Sequence, residues 1–252
     1  MIAVLSPAKT LDFAGALPPV AATAPVFEKE AAGLAQAAAK LTAPKLRALM
    51  AISPELAKLN RDRFRDFAGT DARPALYAFA GDVYRGLAAK SLDAEAVAYA
   101  QDHLRFLSGL YGVLRPLDAI RPYRLEMGTR WAPGRPKDLY AWWRDRVAAR
   151  LAEDLEAEGS GTILNLASQE YWHVVAPHLP EGVRVVTLDF RERRGGELRF
   201  LTAFGKRARG SAARLMVEER IADPEALKDH AIDGHRFAPE ESEGDRWLFV
   251  RG

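Results

Sequence analysis

The chain has no cysteine. That excludes a thiol peroxidase, a thiol redox sensor, a disulfide framework and a cysteine-ligated zinc or iron–sulfur centre. Histidine is scarce, with 5 in 252 residues. His173 and His178, and likewise His230 and His235, are spaced so that neither pair shares a helical face, and no His-Glu-x-x-His string occurs. The sequence therefore points to no metal centre and no cofactor. No apolar run approaches the ~20 residues of a membrane-spanning helix. No basic segment precedes the first apolar one. The expectation is a cytoplasmic protein with no membrane partner. Charge of one sign is missing too: the net charge is +2, so the chain as a whole exerts little pull on nucleic acid.

What is present is apolar residues at 48 % of the chain, enough for a sizeable core. Ile2 to Leu5 form an apolar run stopped by Ser6-Pro7, which reads as a buried strand. Thr162 to Leu166 form a second. Residues 26–41 read as a helix. Residues 42–67 read as two short helices, the first capped by Thr42, the second by Ser53 with Pro54 at its first position. Ala75 to Ala80 reads as a strand, and Ser91 as the cap of a helix whose apolar positions include Val97, Leu104 and Leu107. Leu139 to Leu155 recurs at helical spacing. Val183 to Phe190 and Leu198 to Phe204 read as a hairpin around Gly195-Gly196, followed by a short helix over 211–221 and a last strand, Trp247 to Val250. The fold class expected is α/β, one compact domain over residues 1–252 with a mixed sheet flanked by helices.

Five polar clusters carry the functional reading. The first is Ser6, Lys9, Thr10 and Asp12, in the loop that leaves the first strand, where α/β proteins place their chemistry. Ser6-Pro-Ala-Lys9 matches the Ser-x-x-Lys pattern of acyl-enzymes, without its companion motifs. The same residues also suit backbone capping, or an anion contact through Lys9. The second cluster is Gly81 to Gly86, with Asp82 and Tyr84 about a tight turn. The third spans Arg105 to Arg146, 9 basic residues against 4 acidic, and includes Tyr111, Arg115, Arg121, Tyr123, Arg124 and Glu126. Arginine interleaved with tyrosine suits phosphate contact with base stacking. The fourth, Asn165, Ser168 and Glu170, falls beside the first if the two apolar strands are neighbours. The fifth, Arg184 to Arg220, has 10 basic against 5 acidic residues. In it Lys206, Arg207 and Arg209 follow the hairpin between Gly205 and Gly210, glycines that would let amides approach an anion. Residues 221–252 are acidic, 8 against 4, which hides the basic regions in the net charge.

In order and wording these clusters resemble the YaaA family of peroxide-stress resistance proteins. The matching strings are Leu5-Ser-Pro-Ala-Lys-Thr-Leu-Asp12, Phe79 with Gly81-Asp-Val-Tyr84 and Gly86-Leu87, Leu107-Ser-Gly-Leu-Tyr-Gly-Val-Leu-Arg-Pro-Leu-Asp118 and Pro122-Tyr-Arg-Leu-Glu-Met-Gly128. Lys137-Asp-Leu-Tyr140, Asn165-Leu-Ala-Ser168 with Glu170-Tyr171, and Lys206 with Ala208-Arg209-Gly210 complete the set. The resemblance implies protection against hydrogen peroxide through lower free iron and less oxidative DNA damage, a basic cleft, and double-stranded DNA binding. It also implies a helix-hairpin-helix element, which would be residues 42–60 here. That hairpin, Ile52-Ser53-Pro54-Glu55, has no glycine pair, and Glu55 puts an anion where a phosphate would sit.

The leading expectation is DNA binding, with Lys9, Arg115, Arg121, Arg124, Lys206 and Arg209 on phosphates, Tyr84, Tyr111 and Tyr123 stacked on bases, and Thr10, Asn165 and Ser168 as further contacts. The alternative is an enzyme acting on a nucleotide or nucleic-acid base, or binding another small anionic ligand, with Ser6, Lys9, Asp82, Glu126 and Glu170 as candidate catalytic groups. Convergence of Ser6, Lys9, Asp82, Tyr84, Glu126, Asn165 and Lys206 in one closed pocket would favour the enzyme, and their spread along an open groove would favour binding. Iron sequestration, a third possibility, needs carboxylates meeting at one point.

Overall fold

A computed structural model describes residues 1–252. In chain order the strands are β1 (Ile2–Leu5), β2 (Thr10–Leu11), β3 (Arg73–Pro74), β4 (Phe79–Ala80), β5 (Leu104–Ser108), β6 (Gly112–Leu114), β7 (Ala119–Ile120), β8 (Thr162–Asn165), β9 (Arg184–Arg194), β10 (Glu197–Arg199), β11 (Arg236–Phe237) and β12 (Arg246–Arg251). The helices are α1 (Glu28–Ala39), α2 (Ala43–Met50), α3 (Pro54–Arg65), α4 (Ala75–Ala78), α5 (Asp82–Leu87), α6 (Ala94–His103), α7 (Leu139–Glu158), α8 (Gln169–Trp172) and α9 (Thr202–Glu218).

Eight strands form a mixed sheet in the order β11-β12-β9-β8-β1-β5-β6, with β10 paired to β9. Helices flank it, as expected of an α/β chain. The first apolar run lies at its centre: all four residues of β1 are buried, and β1 is parallel to β5 on one side and to β8 on the other. A strand covered on both faces is apolar throughout, which is why its sequence does not alternate. The five mutually parallel strands, ranked by chain position, lie in the order 2-1-3-4-5, so the winding reverses between β1 and β8. β9 continues from Leu188 to Arg194 beyond the last residue of β8, and β12 pairs with that overhang. The turn between β9 and β10 is Gly195-Gly196, with φ of 59° and 84°, a left-handed pair that suits glycine. In all, 61 buried side chains make one continuous apolar cluster.

The helix caps of residues 42–67 form as the sequence requires. Thr42 Oγ1 accepts from the Lys45 amide and Ser53 Oγ from the Leu56 amide, at 3.4 and 3.3 Å. Ser53→Ala is expected to cost about 1 kcal/mol of stability, measured by urea unfolding.

Three expectations are corrected. Ala75 to Ala80 is not a strand. Ala75–Ala78 is one buried helical turn between two short ladders, in which Arg73–Pro74 pairs with Ala119–Ile120 and Phe79–Ala80 with Thr10–Leu11. A short apolar run looks the same whether it is buried as strand or as helix. Asp93, not Ser91, caps α6, accepting from the Ala96 amide at 2.7 Å. Ser91 instead donates to the Ala88 carbonyl, and Leu104 and Leu107 belong to β5. The last long helix begins at Thr202, so Lys206, Arg207 and Arg209 are helical rather than on a loop. Gly210 is buried against α5, where it lets the two backbones touch, and exposes no amide to an anion.

Candidate anion-binding site

The loops that leave β1 and β8 meet, as their adjacency demands. The Ser168 amide donates to Ser6 Oγ at 2.8 Å, and the two hydroxyl oxygens are 3.2 Å apart. Tyr84, on α5, donates its hydroxyl to the Ser6 carbonyl at 2.9 Å. At the tip of β8, Asn165 accepts from the Ala167 amide and donates to Thr187 Oγ1, at 3.0 and 3.3 Å. Ser6, Tyr84 and Ser168 are thus one hydrogen-bonded group at the point where the winding reverses, and Asn165 ties the tip of β8 to β9 beside it. In open α/β sheets that point is where ligands bind.

A cleft of about 610 Å³ opens beside this group, in the step left where β8 stops and β9 runs on. Asn165, Ser168 and Gln169 line it from the β8 tip, Thr187, Asp189 and Arg191 from β9, Arg246 from β12, and Lys206 and Arg209 from α9. Asp189 is shared by Arg246 and Arg191, at 2.6 and 2.8 Å. Lys206 and Arg209 form no ion pair, and the buried Nε of the half-buried Arg209 has no hydrogen-bond partner. Burial lowers the pKa of Arg209, so its positive charge is held in surroundings that hydrate it poorly.

The other nominated residues go elsewhere. Lys9 Nζ lies 2.6 Å from Glu126, and Arg124 lies 2.9 Å from the same carboxylate. Arg115 pairs with Asp118 at 3.3 Å and lines a different hollow with Arg105, Arg150 and Asp154. Arg121 stacks over Phe67 at 5.9 Å and lines a third. Asp82 is paired with Arg85, and Glu170 accepts the Gly128 amide at 3.1 Å. Thr10 is exposed on the short ladder with Ala80. The residues set as a test of convergence therefore do not share one closed pocket.

Base stacking by the tyrosines is also corrected. Tyr84, Tyr111 and Tyr123 are 7 %, 2 % and 5 % exposed, which leaves no ring face for a base. Tyr123 shares a 2.6 Å hydrogen bond with Ser108, and Tyr111 accepts the Arg121 amide at 2.9 Å. Burial pushes the Tyr111 hydroxyl up to about 12 and those of Tyr84 and Tyr123 well above their ordinary value, so all three stay neutral. Sequence reasoning missed Thr187, Asp189, Arg191 and Arg246. The first three alternate along β9, a signal for one strand face, but which face borders open space depends on where β8 ends. No three His, Asp or Glu side chains converge as a metal set.

These features define the class: an α/β protein with a parallel strand core and a polar, positively charged cleft at the strand tips. The chain belongs to the YaaA peroxide stress protein family, whose sequence profile matches residues 1–241. A UPF0246 protein of Rhizorhabdus wittichii is 57% identical over 251 residues, covering 100% of this chain and 99% of its own. UPF0246 proteins of Roseobacter denitrificans and Caulobacter vibrioides are each 47% identical across 100% of this chain, covering 98% and 99% of their own. The family's name assigns the chain a role in peroxide stress. No helix is long and apolar enough to cross a membrane.

Proposed function

We propose that the chain serves in peroxide stress by binding double-stranded DNA over the basic surface around the β9–α9 cleft, limiting iron-driven oxidation of that DNA. The observation that carries this reading is that Lys206 and Arg209 form no ion pair beside Arg191 and Arg246, whereas Lys9 and Arg124 share Glu126 and Arg115 is paired with Asp118. Free cations release counterions from a duplex, and paired ones have little left to offer it.

The α2–α3 hairpin adds exposed Lys45, Arg47, Lys58 and Arg65. Its helix terminus is a poorer phosphate site. The Glu55 carboxyl is held below its ordinary pKa by its own backbone amide and by Ser53, so the chain's own carboxylate occupies the amino end of α3. The enzyme reading is weaker because its candidate acids and bases, Asp82, Glu126 and Glu170, are each bound to a partner within the chain.

Fluorescence anisotropy with a labelled duplex of about two helical turns tests the proposal. Four phosphate contacts would lower affinity roughly a hundredfold between about 50 and 200 mM salt. The pair Lys206→Ala and Arg209→Ala should reduce the log–log salt slope by about 2. Affinity independent of salt, or no binding at low salt, would sink the proposal.

A further inference from the structure

DNA binding uses the cleft cations as surface charge. It does not require the cleft to be recessed, to be lined by amides and hydroxyls, or to be edged by aromatic rings. The volume of about 610 Å³ falls within the roughly 300–1,000 Å³ of small-molecule sites. Four cations, Arg191, Lys206, Arg209 and Arg246, border it against one carboxylate, Asp189, a local excess of three. A phosphomonoester carries close to two negative charges at neutral pH. Arg209 Nε is buried without a partner, an arrangement that is costly unless an acceptor arrives. Phe200 lies beneath the guanidinium groups of Arg191 and Arg209, at 5.3 and 5.9 Å, and holds both at the cleft wall. The rest of the lining differs in character. Gln169 makes no side-chain hydrogen bond within the chain, Ser168 and Thr187 add hydroxyls, and the half-buried Trp172 supplies a flat apolar ring. Hydrogen-bonding edges beside an aromatic face suit a planar heterocycle.

We infer that this cleft binds a free nucleoside monophosphate, with the phosphate on Lys206 and Arg209 and the base against Trp172 within reach of Gln169. The site stands on its own and does not depend on DNA binding.

Calorimetric titration of the full chain with AMP, GMP, CMP and UMP, and separately with inorganic phosphate and adenosine, tests it. The expected result is saturable binding of at least one nucleoside monophosphate, at least tenfold tighter than phosphate or adenosine. Lys206→Ala, at an exposed position, should weaken it at least tenfold, and Trp172→Leu should remove the advantage over inorganic phosphate. No saturation by any nucleotide, equal binding of adenosine or of phosphate, or an unaltered Lys206→Ala variant would each overturn the inference. The duplex measurement, run in parallel, separates the two readings. Duplex bound without nucleotide overturns this site and leaves DNA binding standing; nucleotide bound without duplex does the reverse.

Discussion

Gly210→Ala is expected to lower the stability of the chain by about 3 kcal/mol or more, seen as a lower urea midpoint. α5 and α9 cross at Gly86 and Gly210. A β-carbon at Gly210 would fall inside the van der Waals radius of the Val83 carbonyl oxygen and 2.8 Å from the Leu87 amide nitrogen. One at Gly86 would overlap the Arg207 carbonyl oxygen and sit 2.8 Å from the Ser211 amide nitrogen. All four neighbours are backbone, so no rotamer change relieves the overlap and the helices must separate. Separation would also pull Tyr84, on α5, from the Ser6 carbonyl and shift Lys206 and Arg209, on α9, at the cleft. Gly33→Ala is the control. It lies on α1 with nothing within 4 Å of an added carbon, and alanine there should stabilise by up to ~1 kcal/mol. A Gly210→Ala protein as stable as the parent would contradict the close crossing.

Asp154→Ala should cost about 3–5 kcal/mol. Arg105 and Asp154 are 6 % and 4 % exposed at the side chain and meet at 2.6 Å. Arg105 also donates to the carbonyls of Gln101, Asp102 and Leu104, and Arg150 approaches the second oxygen of Asp154. Removing the carboxylate leaves a buried guanidinium with no counter-charge, which costs far more than the pair contributes while intact. Asp154→Asn, which keeps an acceptor, should lose less. Because this pair shares no lining residue with the β9–α9 cleft, ligand binding by the folded fraction of Asp154→Ala should match the parent. A loss of affinity in that fraction would mean the two regions are coupled. Thermal unfolding followed by circular dichroism gives the first quantity and titration the second.

Much of the fold was legible because its signals are short-range. The Thr42 and Ser53 caps, the Gly195-Gly196 turn and the apolar runs of β1 and β8 each need only a few neighbouring residues to act. The errors fell where burial overrides periodicity. Ala75 to Ala78 and Leu104 to Ser108 are both buried throughout, one as a helical turn and one as a strand, and apolarity alone does not separate them. In the candidate site, Ser6, Asn165, Ser168, Lys206 and Arg209 were found as polar residues beside apolar or glycine-bounded segments. Arg191 and Arg246 were not, because β9 reads as an ordinary hairpin strand until β8 is seen to stop beside it.

Composition and local pattern alone determined that this chain builds an α/β core without thiol chemistry, that its basic residues cluster in two regions, and that its motifs run in the order of one family. Those are properties of which residues occur and of their nearest neighbours. Only the tertiary structure decided which charges remain free. Lys9 and Lys206 look alike in the sequence, yet one lies against Glu126 and the other stands at an open cleft. The difference arises because parallel strand pairing brings together Ser6 and Ser168, 162 residues apart, and sets α9 over the overhang of β9. A charge is neutralised or left exposed by neighbours that chain crossovers supply, and no window of sequence contains them.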